Sequence, residues 1–126
     1  MIRSAAAMAA IGFVLVAGFQ AALALGAPWG RAAWGGAHER LPNALRVASA
    51  FAAAFWVVAA LVVLARAGFD WSPIPFSVAT WGAWVLFGML LLGAVMNLAS
   101  RSRLERLIQT PVAAVLAILC LLVALA

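Results

Sequence analysis

At 126 residues, 69% of them hydrophobic and 9% charged, the chain is far more apolar than a water-soluble domain. A soluble fold of this size has no means of covering so much apolar surface, so lipid is its natural solvent. The net charge of +5 owes its positive part to arginine alone, and the arginines lie at or near the ends of apolar runs. That placement points to topology and anionic headgroups and away from a nucleic-acid partner, which would need a soluble basic face.

Four apolar runs follow in chain order, roughly 4–25, 43–65, 76–99 and 111–126, and predict one transmembrane domain over residues 1–126. The first three reach the ~20 residues needed to cross ~30 Å of hydrocarbon. Backbone groups in lipid must find partners within their own segment, so helices are required and the fold class is an all-α membrane four-helix bundle. The first run, with Arg3 ahead of it and Ala22-Leu23-Ala24 at its end, mimics a secretory signal. Its apolar stretch is longer than the 7–15 residues of a signal core, so it is read as a retained first helix. The fourth run has 16 residues, about 24 Å of helix, and must thin the bilayer or borrow length from the segment before it. Thr110-Pro111 reads as an N-cap with proline at the first helical position, Pro42 opens the second helix, and no proline is expected to interrupt a helix.

Arginine bias sets the predicted orientation. Loops one and three with their flanks carry Arg31, Arg40, Arg46, Arg101, Arg103 and Arg106, against Arg3 and Arg66 on the other side. The positive-inside rule then places loops 26–42 and 100–110 in the cytoplasm and both termini outside. Absence of lysine and tyrosine and abundance of alanine suggest a GC-rich bacterium, hence a multi-pass protein of the bacterial cytoplasmic membrane. Trp29, Trp34, Trp71 and Trp81 sit near run ends, where indoles prefer the headgroup level; Trp84 lies deeper and Trp56 mid-run.

Loop one is the most distinctive segment. Ala27-x-Trp29-Gly30-x-Ala32 recurs five residues on as Ala32-x-Trp34-Gly35-x-Ala37. Successive glycine-rich amides can form an anion nest, and Arg31 and Arg40 add charge. The alternative is an interfacial turn anchored by tryptophan. His38 and Glu39 are an adjacent acid–base pair, but this sole histidine has no second ligand nearby, and no metal or cofactor is expected. Ahead of the last run, Ser102-x-x-Glu105 is a capping box, and Leu104, Leu107 and Ile108 follow helical spacing with Arg103 and Arg106 off that stripe. A short interfacial helix with arginines toward phosphates is predicted there, and Arg101 can pair with Glu105 one turn on.

Within the spans no ionisable group lies away from the ends, which argues against proton-coupled transport. Gln20, Thr80 and Asn97 are the polar side chains available to line a pathway. Small residues mark packing faces: Ala17 and Ala21; Ser49 with Ala53 and Ala50 with Ala54; Gly82, Gly88 and Gly93; Ala113 and Ala117.

Ala27-Pro28-Trp29-Gly30 with Trp34-Gly35-Gly36, Leu41-Pro42, and the stretch from Asn97 through Ser100-Arg101-Ser102-Arg103 to Glu105-Arg106 resemble small uncharacterised four-helix integral membrane proteins of GC-rich bacteria. The resemblance implies the same fold and carries over no activity. Without a catalytic constellation, the chain reads as an accessory, assembly or lipid-contacting component, in a homo-oligomer or a larger membrane complex. Headgroup or ligand contact falls to Trp29, Arg31, Trp34, His38, Arg40, Arg101, Arg103 and Arg106. An oligomeric channel or transporter and a membrane-surface site on loop 26–42 are the alternatives.

Overall fold

The computed structural model describes residues 1–126 and is built from four long helices. These are α1 (Ile2–Ala24), α2 (Asn43–Arg66), α3 (Phe76–Leu98) and α4 (Thr110–Leu125). Loop one carries two 3-10 turns, Gly30–Ala32 and Trp34–Gly36. A π-helical turn, Glu105–Gln109, leads into α4. All four helices are long and apolar enough to cross a membrane, the last as a 21-residue span from Glu105 to Leu125. The fourth span thus recovers its missing length from the amphipathic lead-in, which continues directly into α4.

That continuity corrects two expectations. Thr110 is not an N-cap: it has helical angles (φ −62°, ψ −52°), and its N–H donates to the Glu105 carbonyl. Pro111 therefore lies inside a continuing helix. It lacks an N–H, and its ring crowds the carbonyl four residues back. The widened π turn just ahead of it accommodates both effects without ending the helix. Pro42 and Pro75 do stand immediately before α2 and α3, with extended backbone (ψ 162° and 142°).

Helix ends explain much of the arginine distribution. Gly26 (φ +100°) and Gly68 (φ +90°) terminate α1 and α2 in left-handed caps, with Ala27 N–H donating to Ala22 O and Phe69 N–H to Leu64 O. Arg46 Nε donates to Ala24 O (2.9 Å), and Arg40 Nη1 to Gly26 O (3.1 Å), at the end of α1. Arg106 Nη1 donates to Ser100 O (2.7 Å) just past α3, and Arg66 Nη2 to Ala126 O just past α4. Each places positive charge at the negative end of a helix dipole. On the terminal side, Arg3 lies 4.1 Å over the Phe69 ring.

The helices form two close antiparallel pairs, α1 with α2 and α3 with α4, and α1–α4 and α2–α3 contacts close the bundle. Phe13, Val63, Ala83, Cys120 and Val123 are fully buried. Phe13 stacks on Trp56, with ring centroids 5.4 Å apart and planes 12° apart, so Trp56 faces the bundle. The signal-like first run is a core helix. Its alanines Ala5, Ala6, Ala9 and Ala10 are all buried, which allows close backbone approach. Ala17, Ser49, Ala113 and Ala117 are buried at packing positions, whereas Ala50 and Ala54 are exposed. On α3 the buried small residues are Ala79, Ala83 and Ala94, and of the expected glycines only Gly82 meets a neighbour, Val62.

A Cβ built at Gly88 meets nothing within 4 Å. Gly88→Ala is therefore expected to raise stability by about 0.5–1 kcal/mol through reduced backbone entropy. Gly82→Ala should lower it, because Val62 Cγ1 would lie 2.8 Å from the new methyl. Thermal midpoints of the two variants in one detergent check the opposite signs.

Candidate functional site: a polar chamber beneath loop one

Loop one folds over the α1/α3/α4 end of the bundle and is tied down at several points. Gly30 N–H donates to Glu39 O (2.8 Å), closing the loop on itself. A Cβ at Gly30 would collide with the His38 carbonyl, so the tight turn accepts only glycine. Arg31 Nη1 donates to Gly36 O (3.0 Å). Ser102 Oγ donates to Arg31 O, and Gln109 Nε2 donates to Ala32 O (3.0 Å), locking loop one to loop three and the π turn. Trp34 adopts φ +50°, an uncommon left-handed conformation for a bulky residue. Its indole N–H donates to Ser49 Oγ (2.9 Å), and Ser49 is fully buried in α2. The strained backbone is thus held by a specific side-chain anchor.

Below this cover lies a cavity of about 270 Å³. Its polar wall is Gln20 from α1, Asn97 from α3, and Glu105 and Gln109 from the π turn; Trp34 and Trp56 add aromatic surface. Glu105 is buried and accepts a 2.8 Å hydrogen bond from Ser100 Oγ, while its own N–H donates to Ser102 Oγ (3.3 Å). Half of the capping box forms as predicted. The Glu105 carboxylate, however, engages Ser100 in place of the Ser102 amide, and it does not need Arg101, which is exposed. Gln20 Oε1 is buried and accepts no hydrogen bond. No arginine lines the chamber. Trp34, Asn97 and Glu105 also line a shallower recess toward loop three, which Arg101 edges.

The predicted pathway residues separate. Gln20 and Asn97 meet at the chamber, whereas Thr80 lies near the other end of α3 and donates to Phe76 O (3.0 Å) of its own helix. Between the two ends the bundle is filled by Phe13, Val63, Leu86 and Cys120. The predicted surface residues divide as well. Trp29 stacks on Phe19 (6.3 Å), and Arg31, Arg40 and Arg106 hold backbone carbonyls. Arg101, Arg103 and His38 are exposed.

Glu105, Gln109 and Trp56 were not foreseen as chamber residues. The spacing of Leu104, Leu107 and Ile108 was legible, but those three are 43%, 60% and 50% exposed. The apolar stripe therefore faces outward, and the polar side, Glu105 with Gln109 four residues on, faces the chamber. No protein-family model, no curated protein and no solved structure matches the chain.

Proposed function

We propose that the chain is a non-catalytic, lipid-contacting component of a bacterial cytoplasmic membrane, working at the end of the bundle where loops one and three meet. The observation that carries this reading is the locking of loop one to loop three through Ser102–Arg31 and Gln109–Ala32. It gathers Trp29, Arg31, Trp34, His38 and Arg40 with Arg101, Arg103 and Arg106 at one end of four apolar helices. Tryptophan at the headgroup level with arginine beyond it suits anionic phospholipid. Arg101 and Arg103, exposed and edging this end, are the residues proposed to meet phosphate. On the arginine bias this end is assigned to the cytoplasm.

The double variant Arg101→Gln/Arg103→Gln is expected to lose most of the anionic lipid retained in mild detergent, with its thermal midpoint unchanged. Native mass spectrometry of the released protein reads both populations. Equal retention by the variant would overturn the proposal. A second reading, an oligomeric channel or carrier, draws on the meeting of Gln20 and Asn97. Solute flux into proteoliposomes tests it, and flux no greater than in empty vesicles would remove it.

A further inference from the structure

We propose that the chamber beneath loop one binds the organic ammonium head of a single-chain amphiphile whose tail lies in the apolar groove between α1 and α4. This goes beyond the arginine-rich end and does not depend on it. The chemistry of the wall selects the charge. Glu105 is the one ionisable side chain facing the chamber, and it is buried. A carboxylate has about four lone-pair sites, and Ser100 Oγ occupies one in this structure, so acceptor capacity is left over. Trp34 and Trp56 add indole surface to the lining, one face of Trp56 being taken by Phe13, and indole is the best aromatic partner for an alkylammonium. Gln20 Oε1 adds a buried acceptor that has no donor. An anionic head would meet the Glu105 carboxylate with no cation to offset it.

The tail is assigned by proximity. The groove between α1 and α4 is almost wholly apolar, with a volume of about 670 Å³, and runs past Gly12, Leu15, Val115 and Leu119. It shares Val16, Ala32, Gln109, Val112 and Leu116 with the chamber wall, so polar pocket and apolar groove abut. A ligand that is charged at one end and apolar along its length fits that arrangement, whereas a small hydrophilic cation would leave the groove unused.

The test uses the full chain in phosphatidylglycerol nanodiscs titrated with octyltrimethylammonium and followed by tryptophan fluorescence, with empty discs as background. Saturable binding is expected. Glu105→Gln should weaken it at least about tenfold, equivalent to about 1.4 kcal/mol. Gly93→Leu provides a variant independent of the buried carboxylate: Gly93 lines the chamber, and a Cβ there meets nothing within 4 Å. It should abolish binding by filling the chamber while keeping the thermal midpoint. Octyl glucoside, with the same tail and no charge, should not compete. Repeating the titration with lysophosphatidylethanolamine, a single-chain lipid, in the discs separates the sources of the ligand. Competition would assign the chamber to a lipid ammonium head, and no competition to a free lipophilic cation; either supports the proposal. Wild-type affinity in a folded Gly93→Leu variant, or equal competition by octyl glucoside, would overturn it.

Discussion

Gly30→Ala is expected to unseat loop one and lower stability by about 3 kcal/mol, at the upper end of overpacking penalties. The new methyl would collide with the His38 carbonyl and lie 2.8 Å from that of Glu39 and 3.1 Å from Leu41 Cδ2. The two carbonyls are backbone, so no rotamer change relieves the clash. Relief must come from opening the Gly30–Glu39 hydrogen bond that closes the loop. The loss then spreads, because the Ser102 and Gln109 contacts both depend on the carbonyls of the adjacent turn. Gly35→Ala is the control. Gly35 also has positive φ (+82°), but a Cβ there meets nothing, so only backbone strain of about 1–2 kcal/mol is expected. Amide hydrogen exchange should show loop-wide deprotection for Gly30→Ala and a local effect for Gly35→Ala. Equal exchange in both would contradict the proposed role of the close approach.

The second large effect is expected deep in the bundle. Phe13→Ala should cost about 3 kcal/mol, within the range for large-to-small core substitutions. In lipid the transfer term is small, because acyl chains are as apolar as the core. What is lost is packing: Phe13 is fully buried and stacked on Trp56, and a void beside Trp56 leaves its ring without a partner. Phe13→Leu, which keeps most of the volume, should cost less than about 1.5 kcal/mol. Reversible unfolding in mixed micelles of mild detergent and dodecyl sulfate gives both values. A Phe13→Ala variant within 1 kcal/mol of the wild type, on the order of RT, would show that α1 is not packed as described.

The number of long apolar helices and the limits of the first three follow from the order of residues alone, whereas the start of the fourth does not. Apolar runs of membrane-crossing length have a single backbone solution in lipid, and Pro42 and Pro75 mark where two of the helices begin. Loop one was also legible as a special segment, because its glycines and tryptophans stand out from the apolar background. The inward face of each helix was not legible. In water a helix announces its buried side by an apolar stripe, but where lipid and core are equally apolar no stripe is needed. Ala5 and Ala9 could therefore not be told from Ala50 and Ala54, although the first pair is buried and the second exposed. The same inversion hid Glu105 and Gln109. Glu105 reads as a capping-box residue and a partner for Arg101, yet here the apolar stripe faces outward and the polar residues close the chamber. Only the tertiary structure decides this, because the π turn before Pro111 and the bonds from Ser102 and Gln109 to loop one set the rotation of that segment.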